Sequence, residues 1–187
     1  MNKLLLLSLI SAGIVGCSSN DVQETSIGDI PEWVMAPNIE NGIAVSDCSI
    51  YSGNLSIDRK QAIANARVLL AAEIEAKVES LDETYTDKSQ IGDSSASGTS
   101  FSSVSKQYVN QTLTGSRTLK TDIIDIDGRN NVCVMVGIEE GKTKELFDAI
   151  VKASDRQLSA KSEDVLYQQF KADQARDRLA EESAKYN

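Results

Sequence analysis

RTLKTDIIDIDGRNNVCVMVGI, residues 117–138, decides the fold. Residues 119–126 and 132–138 are strand-like runs rich in β-branched side chains. Asp127-Gly128 between them is a strong hairpin turn signal, because both positions of a tight hairpin turn need positive φ. In the second run Val132, Val134, Val136 and Ile138 share one face, and Cys133, Met135 and Gly137 share the other. Both faces are apolar, so this strand is expected at the centre of a sheet covered on both sides.

Working outward, residues 43–51 read as another strand. Ile43 and Val45 alternate with Ala44 and Ser46, and Cys48 and Ile50 lie on the second face. Gly53-Asn54 breaks the run. Ser56 is a candidate cap for a helix over residues 57–81, with Asp58 near its positive N-terminus. Ile63, Ala66, Leu70, Ile74, Val78 and Leu81 recur at three- and four-residue spacing, and Ala62, Leu69 and Ala76 widen that stripe. Alanines at the stripe's edge allow close packing on a sheet. Residues 82–105 change character: eight serines fall between Ser89 and Ser105, and residues 84–98 read as an exposed loop. Residues 102–113 fit either a weak helix or an edge strand. After the hairpin, Gly141 ends the strand and Thr143 is a candidate cap for a helix over 144–153, with Leu146, Phe147 and Ile150 facing inward.

Residues 154–187 are charged, free of proline and helical in character. Leu158, Val165, Ala172, Leu179 and Tyr186 recur every seven residues, but the second row a coiled coil needs holds Ser162, Gln169 and Arg176. A helix packed on its own domain, a solvated strut and partner-dependent coiling are all compatible with this pattern. Leu158, Val165 and Leu179 mark the expected partner surface. Upstream, residues 31–37 hold both prolines and the only tryptophan of the chain. They are expected to form an extended clip that packs Trp33 on the domain, the alternative being Trp33 as a partner anchor.

The N-terminus carries a different kind of signal. Lys3 is the only charged side chain before Cys17, and residues 4–16 are largely apolar. This is too short for a permanent membrane span and has the layout of an export leader. Ile14-Val15-Gly16-Cys17 resembles the bacterial lipobox, which implies cleavage before Cys17 and acylation of that cysteine. Several acyl chains, at roughly 0.8 kcal/mol per buried methylene, would hold a domain firmly on a membrane. Residues 17–30 then read as a lipidated tether. Ser18, not an aspartate, follows the cysteine, which by resemblance to enterobacterial sorting signals implies the outer membrane.

The whole chain has a formal charge of −9. Without residues 1–16 it retains 18 basic and 28 acidic side chains, a charge of −10. That excludes a nucleic-acid footprint and leaves membrane attachment to the lipid. Cys48 and Cys133 remain after the anchor. In an oxidising compartment they are a candidate disulfide, provided their strands are neighbours; buried free thiols are the alternative. The chain has no histidine, no CxxC pair and no Gly-rich phosphate loop, so no catalytic residue, cofactor or metal is expected. Asp122, Asp125 and Asp127 precede Gly128, but Arg129 and Asn130 occupy positions where a calcium loop needs an oxygen donor and glycine.

The lipobox, the Pro31-Glu32-Trp33-Val34 clip, the strand, the long helix with Asp58-Arg59, Ala62 and Ala66-Arg67, and the hairpin occur in an order that resembles the twenty-kilodalton membrane-associated lipoprotein family of the Helicobacter antigen type. That family is related to the flagellar outer-membrane lipoprotein FlgP. The resemblance covers residues 31–150. It implies outer-membrane location, absence of catalysis and, in some members, rings around the flagellar motor. The serine-rich insertion and long tail depart from it.

The expectations are therefore an α+β fold, a small antiparallel sheet packed against a long alanine-rich helix with a C-terminal helical extension. Its expected divisions are a leader (1–16), tether (17–30), domain (31–153) and tail (154–187). The expected role is structural or assembly work by a periplasm-facing outer-membrane lipoprotein, flagellum-associated or not, with protein partners or self-association. The alternative is a monomeric periplasmic ligand-binding module.

Overall fold

The computed structural model describes residues 30–91 and 98–171. The leader, Cys17, most of the tether and Leu179 lie outside the described residues. The fold is α+β: three antiparallel strands, β1 (Ile43–Ile50), β2 (Arg117–Ile126) and β3 (Arg129–Ile138), in the order β1-β3-β2. The central strand is the one whose two faces are both apolar, and it is buried from Val132 to Ile138. Its hairpin with β2 closes through Asp127 at φ 55° and Gly128 at φ 73°, the positive pair that matches the right-handed twist of the strands. Asp125 Oδ1 accepts the Gly128 N–H at 2.9 Å. β2 begins at Arg117, two residues before the expected start, and carries an irregularity between Thr118 and Lys120 that inserts Leu119.

The 37-residue helix α2 (Leu55–Ile91) packs on β1 and β3. Ala62, Ala66, Leu70, Ile74, Val78 and Leu81 have no exposed surface and form its inner stripe. Leu69, expected to widen that stripe, is 44% exposed. Ser56 does not cap the helix. Asn54 does: its Oδ1 accepts from Ile57 N at 3.3 Å and its carbonyl accepts from Ile57 and Asp58. Asp58 instead turns back and accepts from Ser52 N and Oγ, both at 2.8 Å, fixing the approach of β1 to the helix.

α2 also runs ten residues past its expected end, into the stretch read as a loop. The cause is tertiary. Tyr85 packs edge-on against Phe101 at 5.9 Å, so the first of the extra turns has an apolar partner that local composition conceals. Phe101 opens α3 (Phe101–Thr114), which settles the ambiguous segment as a helix. Ser100 caps it, accepting from Ser103 N at 3.2 Å, and Phe101, Ser105 and Val109 face inward at four-residue spacing.

β3 passes into α4 (Glu140–Ser154) through a single residue, Glu139. So short a connection places Gly141 and Thr143 inside the first turn, and Thr143 is not the cap. Its buried hydroxyl donates to the carbonyls of Ile138 and Glu139. Leu146, Phe147 and Ile150 are buried as expected. The segment from Ser154 returns as α5 (Ala160–Lys171). Leu166 and Phe170 enter the common core, Phe170 lying 5.7 Å and Tyr167 5.1 Å from Phe147 ring to ring.

The clip is not fully extended. Pro31, at φ −56°, precedes one helical turn, α1 (Glu32–Met35), and Pro37 follows it. Proline before a helix costs nothing, because its missing N–H would have no partner there. The turn lies on the sheet face away from α2. Ser46 Oγ donates to Val34 O, and half-buried Trp33 has Lys120 Nζ 5.9 Å from its ring centre.

Candidate functional site

Three places in the described residues combine geometry with chemistry. The first is the cysteine pair. β1 and β3 pair in a register that sets Cys48 directly opposite Cys133, and the two are disulfide-bonded with their α-carbons 4.0 Å apart. The bridge joins positions 85 residues apart and sits on the sheet face away from α2, the face that α1 also covers. Cys133 is wholly buried and Cys48 half-buried.

The second is a junction on Asp82 that sequence reasoning missed. One carboxylate oxygen accepts the Phe101 N–H at 2.8 Å. The other accepts Ser102 N at 2.8 Å and Ser102 Oγ. A side chain of α2 thus neutralises the orphan N–H groups and positive end of α3. Arg156, from the turn between α4 and α5, donates Nη1 to Asp82 Oδ1 at 2.8 Å. Its guanidinium lies 4.2 Å from the Tyr85 ring centre and 4.3 Å from that of Phe101. Burial pushes the Asp82 carboxyl up, but the Ser102 and Phe101 hydrogen bonds and the Arg156 charge outweigh it, and its pKa is lowered below the ordinary value. Gly98 completes the crossing. It adopts φ +99°, and a Cβ there would stand 2.7 Å from Ser154 O. Thr99 N donates to the same carbonyl at 2.8 Å. This junction ties three helices together and offers no free nucleophile or base.

The third is an open cleft of about 320 Å³ between α3 and α4, bordered by Tyr108, Thr112, Gly115, Lys142, Glu145 and Leu146. Lys142 and Glu145 pair with each other at its rim. The cleft lies between two helices and not between a helix and the sheet.

Among the described residues no cluster of His, Cys, Asp or Glu is placed to hold a metal ion, and no helix is long and apolar enough to cross a membrane. The expected partner row on the tail is split. Leu158 is partly buried on the core, Val165 is 43% exposed, and the inward row is Leu166 and Phe170. A four-residue step matches one face of a straight helix better than the seven-residue repeat does, so α5 docks on its own domain. Comparison with family models, with curated proteins and with solved structures returns no match for this chain.

Proposed function

We propose that this chain is a lipoprotein anchored through Cys17 to the bacterial outer membrane, facing the periplasm, with a structural role in assembling the cell envelope. The observation that carries the reading is Ile14-Val15-Gly16-Cys17 at the end of an apolar leader with one basic residue. Acyl chains on Cys17 supply the membrane attachment that a surface of net charge −10 does not. The Cys48–Cys133 bridge supports it, because such bonds persist in oxidising compartments outside the cytosol. The partners are proteins, including further copies of this chain; no cofactor is required. Resemblance to the flagellar lipoprotein branch makes the motor one candidate place of assembly.

The test is fractionation of cells producing the native chain or Cys17→Ala. The native chain is expected in the outer-membrane fraction and the variant in the soluble periplasm. A variant that still sediments with membranes would overturn the anchor. Clean deletion separates the flagellar branch: lost swimming with an altered motor supports it, and normal motility removes it.

The cleft between α3 and α4 favours a second reading, a monomeric module that binds a small ligand there. That reading requires a strict monomer whose melting temperature rises with ligand and no longer rises in Tyr108→Ala.

A further inference from the structure

The outer side of α2 carries apolar side chains that the fold leaves in water. Ile57, Ala64, Val68 and Ala72, interrupted by the polar Gln61, follow one another at helical spacing opposite the stripe that packs on the sheet. Val68 is 70% exposed, Ile57 59% and neighbouring Leu69 44%. A helix at the surface of a monomer normally presents a polar outer face, so apolar rows on two opposite sides call for two partners. The first is the domain itself, since β1, β3, α3 and α5 pack around the remaining sides.

Charge along the same helix identifies the second. From Leu55 to Ala72 the exposed charges are all basic: Lys60 flanks this row, Arg59 lies on the other side of the helix, and Arg67 donates Nε to Ser116 Oγ at 3.2 Å. From Glu73 to Glu83 they are Glu75, Glu79 and Glu83, all acidic. A second α2 laid parallel would set Glu75, Glu79 and Glu83 on their own counterparts and Lys60 on Lys60. Laid antiparallel, it brings Lys60 of each copy to the acidic half of the other and keeps the two acidic halves apart.

We propose that this face of α2 is an isologous interface for a second copy of the chain, with a two-fold axis passing near Val68. In that register Val68 meets its own counterpart, and Ala64 lies against the partner's Ala72. Lys60 comes within one residue of the level of the partner's Glu75. Alanine at the crossing lets the helix axes approach to about 8 Å, the close end of helix packing. A contact of this symmetry is closed and self-complementary. The proposal rests on the assembly role above and assigns it a surface.

Cysteine cross-linking in membranes of cells producing the otherwise native chain tests it. Val68→Cys is expected to give a disulfide-linked pair of twice the monomer mass on oxidation. Glu75→Cys should not, because in the antiparallel pair its counterpart lies about 21 Å away along the helix, fourteen residues at 1.5 Å. Val68→Asp, at an exposed position, should leave the fold's melting temperature unchanged and weaken association about tenfold or more by light scattering after detergent extraction. A native chain that assembles, with no Val68→Cys product and no loss in Val68→Asp, would overturn this interface while leaving the assembly role standing. Equal cross-linking of Val68→Cys and Glu75→Cys would replace it with a parallel contact. A native chain that is monomeric throughout would remove the assembly role, and this interface with it.

Discussion

Asp82 and Arg156 show how much one buried ion pair can organise. The carboxylate caps α3, and the guanidinium covers Tyr85 and Phe101 while holding the α4–α5 turn. Asp82→Asn keeps the size but loses the charge, and leaves a largely buried arginine without its counter-ion. A loss of about 2–3 kcal/mol is expected in urea unfolding. The pH dependence has a fixed sign. Asp82 has a lowered pKa in the folded state. Its stabilisation is therefore complete above the ordinary aspartate value, about 3.9, and is lost as pH falls through the folded value. Asp82→Asn should accordingly unfold with a shallower dependence on pH below about 4 than the native chain. The Cys48–Cys133 bridge acts on the unfolded state instead. Its loop of 85 residues makes removal cost about 2–4 kcal/mol, measured on the double alanine variant. Thiol titration of the denatured, unreduced chain should find neither Cys48 nor Cys133 free.

Among the elements, α5 provides the sharpest contrast. Phe170 is wholly buried against Phe147, and Val165 is exposed. Phe170→Ala should cost about 3–5 kcal/mol, with Val165→Ala within about 0.5 kcal/mol of native in the same thermal unfolding series. Equal effects would mean that the heptad row, not the Leu166 and Phe170 row, faces the core. The elements also show what a sequence discloses. The β2–β3 hairpin was legible because Asp127-Gly128 forces one turn geometry and both faces of β3 are apolar. The disulfide was foreseeable as a possibility because both cysteines lie in strands, but its register needed the fold. The end of α2 was not legible, since Tyr85 is held by Phe101 across a serine-rich stretch whose composition points to a loop. The Asp82 junction was hidden for a similar reason. An aspartate and an arginine 74 residues apart carry no local pattern, and only the meeting of three helices pairs them. Thr143 misled because a hydroxyl beside an apolar run resembles a cap. The one-residue link through Glu139 decides otherwise.

At the scale of the whole molecule, the helices and the α1 turn cover the two faces of a small sheet, and the bridge fastens its β1 edge to the centre. The domain is a fastened scaffold that leaves apolar side chains, Ile57, Val68 and Leu69, exposed on the outer side of α2. Its proposed place in the envelope depends on Cys17. The most direct measurement is mass spectrometry of the N-terminal peptide of the protein purified from outer membranes. A chain beginning at Cys17, with the added mass of acyl chains on that residue, is the expected result. A chain that begins elsewhere, or an unmodified Cys17, would contradict the lipid anchor and the envelope role built on it.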